Sequence, residues 1–397
     1  MINISSYLMK LHSALPVRIR NIYSPVVKLM HRFRMFFLKL YIIEGVEASS
    51  EKTMKMAYFG LDERILNYWL ELLYTQNTCT RIKSFIPIWK VRRHLINDNL
   101  DYDLVIVELN DLTRKAIALP SGFVLPRWLD LKLNPSNPLN IKQLDTILRR
   151  IRKYKLTFER RYVDSDLRYF YDRMYKPYIS VRHKKATVIT DYKNFQYMFS
   201  TQKSRFYFIL RNGEPVAGAV DIIEGKNIRM GSIGVLDGRE DLLKMGVVGA
   251  CYYFRIMDYK NRKIEMVNFG GTSPVLTDGL TQFKLSFGTE VMDRKHLTDP
   301  YIMILPINNS IAVKSTLKSN PFLYLSERST YQAIFFDSGS EDEKSVFLRV
   351  LNLTDCKNIK ETVVYCFNEV NNTSGWFDKE LYKNVRFINY KAGDEVM

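Results

Sequence analysis

Apolar positions recur at two spacings along the chain, and the switches between them mark out its elements. Ile65, Leu66, Trp69, Leu72 and Leu73 lie on one helical face between Glu63 and Tyr74, and Ile141, Leu144, Ile147, Leu148 and Ile151 form a second stripe. Met56–Phe59 is a short apolar run, and Leu104–Leu109 (LVIVEL) is a continuous one of strand length, which predicts a strand buried on both faces. Pro120, Pro126, Pro135 and Pro138 punctuate a long connection after it. The clearest pattern runs from 155 to 300. Leu156–Tyr162 reads as a strand. A helix follows, with Asp164 or Ser165 as cap, Leu167, Phe170, Tyr171 and Met174 as its stripe and Pro177 as its stop. Arg205–Arg211 and Pro215–Ile223 read as strands joined at Asn212-Gly213, because both turn positions favour residues that accept positive φ. Ile228–Val235 continues the sheet, Asp241–Tyr259 reads as one buried helix, Ile264–Phe269 as a strand and Asp278–Phe287 as a helix closed by Gly288.

Residues 1–50 stand apart. No acid precedes Glu44, while Lys10, Arg18, Arg20, Lys28, Arg32, Arg34 and Lys39 alternate with Val26, Val27, Leu29, Phe33, Phe36, Phe37 and Leu40. Such a basic, aromatic segment suits the face of an anionic bilayer, and it suits docking on its own protein equally well. Glu47 to Lys52 reads as a linker. Past 320, Tyr331–Phe336 and Glu361–Phe367 read as strands and Glu341–Leu351 as a helix. The expected organisation is a basic amphipathic segment over 1–50, an α/β unit over 51–154, a larger unit over 155–310 and a small α/β extension over 320–397.

With 59 Lys and Arg against 42 Asp and Glu, the formal charge of +17 favours an anionic partner such as nucleic acid, a phosphorylated ligand or a membrane face. Cys79, Cys251, Cys356 and Cys366 lack zinc-type spacing and are too few for a disulfide framework, so they read as reduced thiols of a cytoplasmic protein. The most apolar N-terminal piece, Met35–Ile43, is broken by Lys39, and no signal peptide or spanning segment is expected.

Three clusters can carry chemistry. In the first, Gly270-Gly271-Thr272-Ser273-Pro274 ends a strand with a Gly-rich turn whose amides can meet a ligand. Asp278 is placed to cap the next helix, which carries Leu280, Phe283 and Phe287 on its apolar stripe. Lys284 lies beside that stripe, half-buried, where an ammonium neutralises a carboxylate, a phosphate or a developing oxyanion. In the second, Met174 to His183 gathers Tyr175, Tyr178, Arg182 and His183, a set suited to an amine-bearing, anionic acceptor. His183 is the candidate general base, since an imidazole titrates near working pH. In the third, Gly246-Val247-Val248-Gly249-Ala250-Cys251 places small residues near a helix start, which serves either anion binding or close helix packing. Arg239 and Lys244 are the cations beside it. His12, His31 and His94 have no metal-ligand partners in sequence, so no metal is expected. No GxSxG, Walker A or GxGxxG motif occurs.

The order strand, helix, three antiparallel strands, long helix, strand, helix over about 155–300 resembles the GNAT acyltransferase fold, and the stretch from Gly270 to Gly288 resembles the C-terminal signature of its FemAB-like branch. The resemblance implies an α/β (α+β) fold with a mixed sheet flanked by helices, and it admits 51–154 as a degenerate GNAT half. It implies acyl transfer to an amine, with Lys284, Asp278 and His183 catalytic. Tyr175, Tyr178, Arg182, Thr272 and Ser273 would bind substrate, and Arg239, Lys244, Gly246 and Gly249 would hold acyl-CoA. GNAT enzymes carry a Q/R-x-x-G-x-G/A loop at that last place, and here Gly246 occupies its first position. The reading is therefore an N-acyltransferase moving an acyl group from acyl-CoA to a large acceptor, such as a cell-surface polysaccharide or lipid-linked precursor, with residues 1–45 resting on the inner face of a membrane. Aminoacyl-tRNA as donor and a non-catalytic GNAT module are the two rival readings.

Overall fold

The computed structural model describes residues 33–97, 100–117, 119, 121–183, 190–200, 204–292, 300–326, 330–337, 359–367 and 384–390. The helix expected at Glu341–Leu351, and the basic segment before residue 33 with His12 and His31, lie outside the described residues, as does Cys356.

Part of the segment expected to be amphipathic folds into a sheet. β1 (Phe37–Glu47) pairs antiparallel with β2 (Thr53–Gly60). The stretch expected as a linker is the turn between them. The Glu47 carboxylate accepts from the Ser49 and Ser50 amides at 3.1 and 2.6 Å and from Ser50 Oγ at 2.7 Å, which draws the hairpin tight. Next come α1 (Glu63–Leu73), capped by Asp62, then β3 (Tyr74–Pro87), α2 (Ile88–Asn97), β4 (Leu104–Leu109), α3 (Asp111–Ile117) and β5 (Phe123–Pro126). β4 is buried along its whole length, as its apolar run predicts.

β6 (Leu129–Leu133) lies inside the proline-punctuated connection, where the sequence shows no strand. It is followed by α4 (Ile141–Tyr154) and β7 (Leu156–Arg161). One helical run then passes through three segments: α5 (Asp164–Tyr169), a π-helical stretch (Phe170–Tyr175) and α6 (Lys176–His183). Pro177 does not stop it. The wider π turn precedes the proline, which sits at the second residue of α6. α7 (Tyr192–Ser200), β8 (Ser204–Arg211), β9 (Glu214–Glu224) and β10 (Asn227–Val235) follow. The helix expected over Asp241–Tyr259 is two, α8 (Glu240–Met245) and α9 (Val247–Asn261), divided by Gly246 at φ +88°. β11 (Met266–Thr272), α10 (Gly279–Leu285), β12 (Glu290–Val291), β13 (Tyr301–Pro306) and α11 (Ile311–Ser319) lead to β14 (Phe322–Leu325), β15 (Tyr331–Asp337), β16 (Ile359–Cys366) and β17 (Val385–Asn389).

The sheets run β3-β1-β2-β4-β13-β5, β12-β6-β11-β10-β9-β8-β7 and β14-β15-β16-β17. This is a mixed, helix-flanked α/β architecture. The first two sheets repeat one ladder. An antiparallel pair (β1 with β2, β9 with β10) leads to a parallel pair (β2 with β4, β10 with β11). Two antiparallel pairings close each ladder: β4–β13–β5 in the first sheet and β11–β6–β12 in the second. Each sheet takes one of those strands from the other half of the chain. β6 enters the second sheet and β13 the first, so the sheets interlock across the boundary expected at 154. The third sheet packs on the first through Phe123, whose ring meets Phe322, Phe336 and Tyr365 at 5.4–5.6 Å between centroids.

On the second sheet, α9 covers the face carrying Ile209 and Ala217, while Leu167, Phe170, Met174 and Phe195 cover the face carrying Phe206, Phe208 and Val220. The π-helical stretch rests directly on the backbone of the strands. Gly218 and Gly234 are cross-strand partners. A Cβ on Gly218 would lie 2.8 Å from Phe170 Cδ2, and one on Gly234 would lie 2.6 Å from the Tyr175 nitrogen. Backbone cannot give way as a side-chain tip does. Gly234→Ala is therefore expected to lower unfolding free energy by about 1–3 kcal/mol in urea titrations. Gly279→Ala, where an added Cβ meets nothing within 4 Å, is the control and should cost no stability.

Candidate active site at the diverging strands

β10 and β11 are parallel neighbours over three residue pairs, Asn227–Met266, Ile228–Val267 and Arg229–Asn268. Both strands then bulge. The β10–β9 register slips between Arg229 and Ser232, and the β11–β6 register slips between Asn268 and Gly270. A bulge bends its strand and takes one residue out of the ladder. Two bulges lie just beyond the last shared pair, and the strands part at their carboxyl ends.

Each bulge is held by a side chain. Asn268 Oδ1 accepts from the Gly270 amide at 2.6 Å. Asp221, fully buried on β9, accepts from the Gly231 amide at 2.8 Å and from Arg255 Nη1 at 2.5 Å, and Tyr259 donates its hydroxyl to the other carboxylate oxygen. Arg255 is equally buried, and its Nε donates to the Cys251 carbonyl at 2.8 Å. Gly231 cannot carry a side chain, because a Cβ would lie 2.2 Å from the Val220 carbonyl oxygen. Asp221 and Arg255 were not singled out in the sequence. Two charges on apolar elements were the available signal, since such groups are buried only in pairs.

The Gly-rich turn after β11 and α10 assemble as one unit. Asp278 caps α10, accepting from the Thr281 amide at 2.9 Å. Thr281 Oγ1 meets Thr272 Oγ1 at 2.7 Å and donates to the Ser273 carbonyl at 2.8 Å. Lys284 is 4% exposed, and its Nζ donates to the Gly271 and Gly270 carbonyls at 2.7 and 3.3 Å. Burial pushes the ammonium down from its ordinary 10.5 to about 8, against the pull of the Asp130 and Asp278 carboxylates. Ser273 Oγ lies 2.6 Å from the hydroxyl of Tyr68 on α1, so the first half of the chain reaches this turn. Periodicity marks Tyr68 only as a neighbour of the Leu72 stripe, and nothing local identifies it.

The acceptor motif sits otherwise than on a cleft wall. Tyr175 is buried against Phe170 and Phe195, and its hydroxyl accepts from the Thr190 amide at 3.1 Å. Tyr178 is buried among Val235, Val247 and Cys251, and Arg182 donates to its hydroxyl at 2.7 Å while remaining exposed. His183 ends α6, and its side chain lies outside the described residues. The helix bearing Tyr175 covers the sheet face opposite α9, whereas Phe283 and Phe287 pack on Tyr252 of α9. Tyr178 comes within electrostatic reach of Cys251 and Tyr252, and among the described residues no hydrogen bond joins Arg182 to Thr272 or Lys284.

Of the residues expected to hold acyl-CoA, Gly246 and Gly249 flank the start of α9. No side chain caps that helix, and Ala250 is the first residue whose amide bonds back, to the Gly246 carbonyl at 3.1 Å. The three amides before it have no helical partner. Gly249 admits Ile147 of α4, with 3.1 Å from an added Cβ to Ile147 Cγ1, so it serves helix packing. Arg239 and Lys244 are exposed and pair with Asp241 and Glu240 at 2.6 and 2.8 Å. The cation over Gly246 is instead Arg150 of α4, whose Cδ would lie 2.7 Å from an added Cβ. The buried Cys251 thiol is pushed up to about 12 by burial, which removes it as a nucleophile.

The matching place in the first sheet is filled. β2 and β4 separate after Phe59–Val107, and the buried Glu108 carboxylate occupies the gap, accepting from Tyr58 and from the Asp62 amide at 3.1 Å. Burial raises the Glu108 pKa from its ordinary value, while Arg127 and the donated hydrogen bonds oppose it. On the far face of the second sheet, β9, β10 and α7 line an open pocket of about 440 Å³, with Asn194, Phe195, Val220, Arg229 and Ser232 in its wall. Among the described residues, no three His, Cys, Asp or Glu side chains are grouped to hold a metal ion, and no helix is long and apolar enough to cross a membrane.

No family model matches the chain, and no curated protein does. Among solved structures it is similar to FemX, at 9% identity over 68% of this chain and 89% of that one, with a TM-score of 0.36. It is also similar to L-PGS from Bacillus licheniformis, at 11% identity over 72% and 90% with a TM-score of 0.31. A GCN5-related N-acetyltransferase from Sphaerobacter thermophilus matches at 12% identity over 65% and 74%, with a TM-score of 0.30.

The buried lysine makes stability depend on pH with a defined sign. Below about pH 8 the folded chain holds an ammonium away from water, and above it the folded chain sheds that proton before the unfolded chain does. The stability of the wild type relative to Lys284→Met should therefore rise from neutral pH toward pH 10. Paired urea titrations read this difference, and a difference constant with pH would assign the lysine an ordinary pKa.

Proposed function

We propose that the chain is an N-acyltransferase working in the crevice between β10 and β11. The observation that carries this reading is the paired bulging of the two strands, which opens the sheet between a turn holding Lys284 and the uncapped start of α9. The donor is acyl-CoA. Its phosphates fit the free amides of α9 with Arg150 above them, a site in which Arg150 takes the part first given to Arg239 and Lys244. The acceptor is an amine on a large molecule, such as a cell-surface polysaccharide or lipid-linked precursor, and the pocket beside the β10 bulge supplies its seat. The chain's positive charge favours an acceptor bearing anionic groups.

In the reaction the amine nitrogen attacks the thioester carbonyl carbon, forming the C–N bond and moving the carbonyl electron pair onto oxygen. That pair returns, the C–S bond breaks, and the amine's proton leaves through solvent to the departing thiolate. Lys284 has three N–H groups as an ammonium and gives two of them to carbonyls, which leaves one for the oxyanion. Asp278 and Thr281 hold the helix that aims it, and Ser273 and Tyr68 close the turn beneath. The loss of one such donor costs about 10²–10³ in kcat. Lys284→Met, which keeps the aliphatic stem, should show that loss with the fold intact, and normal turnover by this variant would contradict the reading. The wild-type rate should fall as pH rises through about 8, because the stabilising form is the charged one.

An aminoacyl-tRNA donor is the second reading, favoured by Gly246 standing where GNAT enzymes have Gln or Arg. Acetyl-CoA should raise the melting temperature with the logarithm of ligand over Kd, and Arg150→Ala should reduce that rise. Stabilisation by charged tRNA alone would select the second reading, and stabilisation by neither would leave a non-catalytic module.

A further inference from the structure

We propose that α2 and the bulged end of β3 form a face that docks on an anionic lipid bilayer. The helix is apolar on two sides. Ile88, Val91 and Leu95 are buried in the protein, while Trp89, Arg92, Arg93 and Ile96 stand at i, i+3, i+4 and i+7 on the opposite, exposed face. Trp89 is 56% exposed and Ile96 51%. A water-facing helix side ordinarily carries neither.

The strand leading into the helix continues the same surface. β3 is the edge of the first sheet, and its register against β1 slips between Leu38 and Leu40, which adds a residue to β3 near Ser84 and Phe85. Phe85 has a φ of 67° and is 62% exposed. A bulky side chain held in the left-handed region and left in water has no packing to explain it, and bulges re-aim side chains. Ile82 is exposed beside it, and the exposed ring of Phe37 meets Trp89 edge-on at 6.3 Å between centroids.

Charge identifies the occupant. From Leu72 to Asn97 the sequence has no Asp or Glu. Arg81, Lys83, Lys90, Arg92 and Arg93 are exposed there, and none forms an ion pair among the described residues. Three other exposed arginines do hold acids: Arg64 with Asp62, Arg173 with Asp237 and Arg262 with Asp258, at 2.8, 2.8 and 2.9 Å. Unpaired cations interleaved with Trp, Phe and Ile match an anionic bilayer interface, which accepts rings and aliphatic groups among its acyl chains and cations at its headgroups. Nucleic acid would stack the rings but has nothing for Ile82 and Ile96. The surface is formed by the first sheet and α2, and the proposal does not rest on the acyl-transfer reading.

The test is flotation of the full chain with vesicles of phosphatidylcholine alone or mixed with phosphatidylglycerol, at low and high salt, with fluorescent tRNA as a parallel probe. Binding is expected only with phosphatidylglycerol and should weaken with salt. Phe85→Ser/Trp89→Ser and Arg92→Glu/Arg93→Glu, all at exposed positions, should each weaken it about tenfold or more. Arg149→Glu/Lys153→Glu, on the solvent side of α4, should leave it unchanged. The proposal is overturned if the wild type ignores phosphatidylglycerol vesicles, or if both surface variants float as the wild type does. It also falls if the arginine variant loses tRNA binding while vesicles bind no form of the chain.

Discussion

The buried carboxylate of Asp221 holds the second sheet open. It takes the Gly231 amide that the β10 bulge withdraws from the strand ladder, and it is bonded in the interior to Arg255 and to the Tyr259 hydroxyl. A carboxylate stripped of water is costly unless paired and fully hydrogen-bonded, and removal of either partner would strand a charge in the core at a cost of about 3–5 kcal/mol. The pair therefore makes the bulge a fixed feature of the fold. Asn268 does the same for β11 at the price of one side chain. The parting of β10 and β11 follows from these two local departures from strand geometry.

The first sheet shows what happens without them. Its parallel pair also separates at the carboxyl end, but β2 and β4 part without a bulge, and Tyr58 and Glu108 fill the gap under Gly60. An added Cβ at Gly60 would lie 2.6 Å from Glu108 Oε1, so the plug is packed to contact. One half of the repeated ladder is thus closed and the other open. The exchange of β6 and β13 binds them together, and Tyr68 carries a hydroxyl from the closed half to the turn of the open one.

Much of this was legible in the sequence because local chemistry dictated it. The buried run of β4, the Asn212-Gly213 hairpin and the Asp278 cap were each set by a few adjacent residues. The strands β1, β3 and β6 were not, since a basic-aromatic alternation and a proline-rich stretch carry no periodic signal, and their partners lie far along the chain. Pro177 misled for a physical reason: a π turn before it removes the clash that would end an α-helix. In the candidate site, Lys284, Asp278, Thr272 and Ser273 could be read from one contiguous motif. Asp221, Arg255, Arg150 and Tyr68 could not, because each acts through a contact that only the folded topology creates. Tyr175 and Tyr178 had the composition of a binding loop and the positions of core residues.

The central claim is that donor binds where the bulged strands part. Hydrogen–deuterium exchange of the intact chain, read by mass spectrometry with and without acetyl-CoA, locates that event directly. The account predicts slowed exchange in residues 230–235, 246–250 and 270–284, with α2 and the filled gap of the first sheet unchanged. Protection confined to the first sheet, or to the β3–α2 surface, would contradict it.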